Sequence, residues 1–200
     1  MFDVLIIGGG AAGMSCALVL GSAKERPYAK NKRIGIIMHQ RASQLHSALF
    51  NNVLGLSPGT TGQSILEKGK KQLRDLYPHV EQIESEKVQK ISRSAEGFTI
   101  VTNKSTYNSK LVVVAVGYTN LKAIKGLEAF IEPHPKAVAE KERIWLKNKD
   151  HLVEKGLYVA GTLAGWRSQF AIASGSGTQV ATDILTLWNG GNHTKVHDKL

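Results

Sequence analysis

The run Phe2-Asp3-Val4-Leu5-Ile6-Ile7-Gly8-Gly9-Gly10-Ala11-Ala12-Gly13 opens the chain with an apolar strand, a glycine-rich turn and the start of a helix. No other feature restricts the fold as much. A buried strand that feeds a helix through Gly-x-Gly-x-x-Gly is the physical design of a dinucleotide pyrophosphate site. Gly8 permits the tight turn, Gly10 lets backbone approach phosphate, and Gly13 lets the helix lie close to the strand. The N–H groups and positive dipole end at the helix start then attract a diphosphate without a cationic side chain. A bare glycine pattern is also compatible with a turn that binds nothing. Here Ala11, Ala12, Met14, Ala17, Leu18 and Leu20 supply the helical context that favours the binding site.

After a polar, turn-like stretch over residues 26–32, Arg33-Ile34-Gly35-Ile36-Ile37-Met38 returns as an apolar, β-branched run and completes a strand, helix, parallel strand unit. In a nicotinamide-type unit the end of that second strand often carries an acid for the adenosine ribose. This chain offers Met38, His39, Gln40 and Arg41 instead, which weakens a plain NAD reading and keeps a phosphorylated ribose open. Residues 42–60 lack periodicity and read as a loop lining a site. A helix capped by Thr60 or Thr61 follows and stops near Tyr77-Pro78. Segments at 87–93, 97–102 and 106–110 form a small antiparallel β-meander. The run at 111–117 is apolar throughout, as in the centre of a parallel sheet covered on both faces. Residues 118–155 are charged and read as a surface excursion, with one amphipathic stretch around Ile144-Trp145-Leu146. A last strand at 157–161 leads into a helix over about 168–188. The class is therefore α/β, with a parallel sheet and a small meander.

At 200 residues and 42% apolar content the chain suffices for one well-buried domain or two small ones. No stretch reaches the ~18 apolar residues of a membrane span and no leader precedes the first strand, so the expected address is cytoplasmic, with no membrane partner. A single cysteine, Cys16, excludes an internal disulfide or a Cys-x-x-Cys pair, and its helical position favours a packed side chain over a reactive thiol. The formal charge of +10 raises local anion concentration and suits an acidic partner, yet no aromatic platform or nucleic-acid motif accompanies it, so no nucleic-acid partner is expected.

Three features stand in order: the N-terminal glycine unit, Val112-Val113-Val114-Ala115-Val116-Gly117, and Tyr158-Val159-Ala160-Gly161 before Gln169-Phe170-Ala171-Ile172-Ala173-Ser174-Gly175-Ser176-Gly177. Together they resemble the FAD-binding half of the thioredoxin reductase-like flavoproteins over most of the chain. In that family a strand ending in Ala-Gly-Asp precedes a helix opening like Arg-Gln-Ala-Ile-x-Ser-Ala-Gly-x-Gly, and Arg167, Gln169, Ala171, Ile172, Ser174, Gly175 and Gly177 fit much of it. The resemblance implies a doubly wound, three-layer FAD/NAD(P)-binding fold forming one domain over 1–200, with FAD as cofactor. It implies pyrophosphate contacts from Gly8, Gly10, Ala11, Ala12 and Gly13, and nucleoside contacts from His39, Gln40 and the backbone of Val88. It places Ala115 and Gly117 at the strand end near the cofactor, and Asn51 or Asn52 on the loop that approaches the isoalloxazine. Gly161, Thr162, Gln169, Phe170 and Ala171 fall at the second helix start, which in that family meets the flavin pyrimidine edge.

Two departures qualify it. Thr162 stands where the family has an Asp that bonds the ribityl chain or phosphate, so a hydroxyl replaces a charge. The stretch at 118–155 also replaces the nicotinamide-binding domain, being too short for another doubly wound unit. The reading that results is an FAD-dependent oxidoreductase reduced by a small-molecule substrate, by free NAD(P)H used poorly, or by a protein donor. The alternatives are a non-catalytic flavin-binding module and an NAD(P) enzyme with a single nucleotide unit. No residue stands out as catalytic and no metal is expected. His46 reads as a solvated loop residue before an acid or base, and His193 with His197 as a frayed terminus before a metal pair. Trp166 either shields the flavin or fills the sheet edge.

Overall fold

The structure is a computed structural model that describes residues 1–39, 43–117 and 124–197. Its first unit follows the opening pattern: β1 (Phe2–Ile7), α1 (Ala11–Ser22) and β2 (Ile34–Met38), with β1 and β2 parallel. Side chains alternate from Val4 to Ile7, and Phe2 at the strand's start joins the Leu5 side. Val4 and Ile6 face one core, while Phe2, Leu5 and Ile7 face another, so the strand is covered on both sides.

A short hairpin of β3 (Leu49–Phe50) and β4 (Thr60–Thr61) occupies the expected loop, after a 3₁₀ turn over Gln44–Ser47. Then α2 (Gly62–Leu76) begins under Thr61, whose hydroxyl accepts from the Ser64 amide at 3.2 Å. It is followed by β5 (Val80–Glu84), a strand the sequence reading passed over, which pairs parallel to β2.

The meander is β6 (Val88–Ser94), β7 (Gly97–Thr102) and β8 (Thr106–Val114). The last of these unites two stretches expected as separate strands. Ser109 of β8 pairs with Phe98 of β7 on one edge and Phe2 of β1 on the other, so one strand serves both meander and central sheet. A hairpin of β9 (Ile131–Pro133) and β10 (Ile144–Leu146) comes next, then β11 (Leu152–Glu154), β12 (Leu157–Val159) and α3 (Phe170–Trp188). The last strand is thus shorter than expected, with residues 161–164 turning as a 3₁₀ segment.

The main sheet runs β11-β12-β8-β1-β2-β5, parallel from β12 to β5. Helices α1 and α3 cover one face, and α1 is apolar nearly all round because it lies between the sheet and α3. The meander covers the other face together with Ile124, Leu127, Ile144 and Leu146. The charged stretch is therefore anchored: Leu127 and Leu146 are fully buried. The result is the three-layer α/β fold expected.

Candidate cofactor site

Gly8 ends β1 with φ at +115°, a conformation an L side chain rarely adopts, and a Cβ there would lie 2.5 Å from the Ala115 carbonyl oxygen. At Gly13 a Cβ would overlap the Gly8 carbonyl, so α1 starts in direct backbone contact with the turn beneath it. These contacts lock β1, β8 and α1 together where the chain leaves β1 for β2 on one side and β8 lies on the other. In open parallel sheets ligands bind in the crevice at such a switch point, beyond the strands' carboxyl ends.

A cavity of about 490 Å³ opens at that point. Two of the three α-helix starts among the described residues reach it, α1 through Gly10, Ala11 and Ala12, and α3 through Gln169, Phe170 and Ala173. Neither helix has a side-chain cap or an acidic residue in its first turn. Helix starts leave N–H groups without intrahelical partners and carry partial positive charge, so both offer donors to electron-rich groups. A Cβ at Gly10 would meet no atom within 4 Å, which leaves the backbone there open for close approach.

Beside the α1 start, Gly161 and Thr162 line the cavity on the 3₁₀ segment that follows β12, and a Cβ on Gly161 would lie 3.1 Å from Ala12 Cβ. Gly161 has φ +78° and its amide donates to Ser176 Oγ at 2.8 Å. Phe50 of β3 meets Phe170 with ring centroids 5.1 Å apart, forming an apolar wall. Glu86 also lines the cavity; it is buried and accepts from Thr102 Oγ1 at 2.6 Å and Tyr107 Oη at 3.0 Å. Burial first, with the Glu86 carboxylate beside it, raises the Tyr107 pKa, so this phenol stays a donor. Cys16 is fully buried, and burial pushes its thiol far above the ordinary range, which leaves no reactive thiolate.

Of the residues expected at a site, Gly8, Gly10, Ala11, Ala12, His39, Val88, Ala115, Gly117, Gly161, Thr162, Gln169 and Phe170 line this one cavity. Gly13 lies beneath it, packed on Gly8. Asn51 does not line it, because its Oδ1 accepts from the Gly59 amide at 2.8 Å within the β3–β4 loop. Ala171 is exposed on the far side of α3, and Gln40 lies outside the described residues. Sequence reasoning missed Phe50, Glu86, Lys87, Ile124 and Ala173. Only adjacency to Asn51 and Val88 pointed to the first three. His46 is exposed on the 3₁₀ turn, while Trp166 stacks on His151 at 6.1 Å outside the cavity. His193 and His197 fall in the irregular stretch after α3, so their spacing does not put them on one helical face.

Residues 2–165 match the family of pyridine nucleotide-disulphide oxidoreductases. A comparison with curated proteins found no match. Among solved structures the chain is similar to a thioredoxin reductase from Gloeobacter violaceus, at 13% identity and a TM-score of 0.77, over 100% of this chain and 99% of that one. It is also similar to a ferredoxin-flavin thioredoxin reductase from Clostridium acetobutylicum, at 18% identity and a TM-score of 0.69, over 94% and 98% of the two chains. It is likewise similar to the atypical thioredoxin reductase TRi from Desulfovibrio vulgaris Hildenborough, at 13% identity and a TM-score of 0.68, over 96% of this chain and 99% of that one. At such identities the likeness is one of fold.

Proposed function

We propose a function from the premise that this chain belongs to the pyridine nucleotide-disulphide oxidoreductase family: it is an oxidoreductase whose cavity holds FAD. The observation that carries the reading is the pair of uncapped helix starts, α1 and α3, lining one cavity. The residues present fit a flavin dinucleotide, since Gly10 leaves open space for phosphate to approach backbone and Phe50, Phe170 and Ala173 give an apolar wall for a ring. Flavin bound there supplies the hydride or electron transfer.

The chain's own residues do the rest. The turn from Gly8 to Gly13 would hold the diphosphate with backbone N–H groups and the α1 dipole. The α3 start presents donors where negative charge accumulates on reduction, which favours the reduced cofactor. Val88, Lys87 and His39 line the cavity, and they are the residues that would hold the nucleoside part. Cys16 is the sole cysteine and is buried, so no dithiol of this chain passes electrons on. Electrons then come from and go to external partners. The +10 charge suits an acidic donor protein or an anionic substrate.

The visible spectrum of the purified protein, followed by anaerobic stopped-flow mixing with NADH, NADPH and a reduced acidic electron carrier, tests this. Bound FAD that bleaches rapidly with any of the three is the expected result. A colourless protein that takes up no added FAD overturns the cofactor, and bound FAD that none reduces favours a non-catalytic flavin module.

A further inference from the structure

We infer that His134, Asn148 and His151, all from the charged stretch between β8 and β12, are positioning residues that set the cavity-lining turn Gly161–Ala164. The inference rests on the proposed flavin site for its functional meaning and on geometry alone for its mechanics.

Each of the three reaches a different backbone group of the turn or its immediate support. His134 Nε2 lies 3.0 Å from the Thr162 carbonyl oxygen, and the Lys136 amide donates to His134 Nδ1 at 3.1 Å. A backbone amide can only donate, so Nδ1 is the bare nitrogen and Nε2 carries the proton it donates to Thr162. Asn148 Nδ2 donates to the Ala164 carbonyl at 3.2 Å and to Leu146 at 2.6 Å, while its Oδ1 accepts from the His151 amide at 3.0 Å. That last bond holds His151 at φ +71°, in the left-handed region few non-glycine residues occupy.

From there the His151 ring reaches Ser176 Oγ at 2.9 Å, and Ser176 Oγ accepts the Gly161 amide. His151 and Ser176 are each 6% exposed and His134 is 8% exposed, so water does not replace these partners readily. Trp166 stacks over His151, and Lys136 Nζ stands 4.5 Å from the Trp166 ring on the outer side. Buried Ile144 and Leu146 fix the stretch itself to the core. A turn with Thr162 in place of an acidic residue is thus held in register by bonds from behind.

Amide hydrogen exchange of the cofactor-free protein, read beside FAD titration, tests the inference. Wild-type Gly161 is expected to be protected well beyond an open turn. Ser176→Ala and His134→Ala are each expected to speed exchange across residues 161–165 by about tenfold and to weaken FAD binding about tenfold, the scale of one lost hydrogen bond. Ser176→Thr, which keeps the hydroxyl, and His134→Gln, which keeps a donor for Thr162, are expected to restore both. An unprotected Gly161 in the wild type overturns the inference without any variant. So does faster exchange with unchanged FAD affinity, or weaker affinity with unchanged exchange. A wild type that binds no FAD overturns the cofactor reading instead, while exchange still decides whether the brace exists.

Discussion

A methyl group at Gly13 would overlap the Gly8 carbonyl, whereas one at Gly10 would meet nothing within 4 Å although both belong to the same turn. The two glycines therefore serve different ends, one packing and one approach. Gly13→Ala is expected to cost about 3 kcal/mol of stability, since backbone must shift to admit the carbon. Gly10→Ala is expected to change stability by less than about 1 kcal/mol and yet weaken FAD binding more than about tenfold. Urea unfolding and flavin titration of both variants check the contrast. Residues whose role lies in their backbone were legible in the sequence, because glycine spacing reports backbone geometry directly. Those that act through side-chain direction were not. Ala171 belongs to the motif but points away, while Gln169, Phe170 and Ala173 share one face of the α3 start. Asn51 was the wrong neighbour of Phe50 for a similar reason, its amide being engaged within its own loop.

At the level of elements, long apolar runs announced β1, β2, β8 and both α1 and α3. Strand β5 escaped because only Val80 and Ile83 of Val-Glu-Gln-Ile-Glu are buried at this sheet edge. The β9–β10 hairpin escaped because three-residue strands carry no usable period. Charges also tie elements together at the sheet's amino end. Asp3 of β1 accepts from the Arg33 amide at 2.9 Å before β2 and pairs with Lys110 of β8 at 3.0 Å. Burial opposes its ionisation, but those two bonds and Lys32 outweigh it and hold its pKa below 3.8. A lowered folded pKa means that the stabilisation exists above that value and is lost as pH falls through the folded one. Asp3→Asn is accordingly expected to cost about 1 kcal/mol at neutral pH and nothing once the wild-type carboxyl is protonated. Denaturation midpoints across an acid series measure this; a constant difference at every pH would refute it.

For the molecule as a whole, the three layers bring two helix starts to one cavity, and the charged stretch, whose sequence suggests a surface excursion, supplies part of the second core and the bonds to the cavity-lining turn. Its anchoring was hidden because Ile124, Leu127, Ile144 and Leu146 are scattered singly among lysines and glutamates. A division of labour between the helix starts is the core of the proposal: α1 for the diphosphate and α3 for the flavin ring. Among the described residues no helix is long and apolar enough to cross a membrane. The most direct test is calorimetric titration of FAD and of ADP into wild type and Ala173→Leu, a change that fills the α3 end of the cavity. FAD affinity should fall more than about tenfold while ADP affinity holds, because ADP lacks the ring. Equal losses for both ligands, or none for either, would contradict the claim that the second helix start receives the flavin.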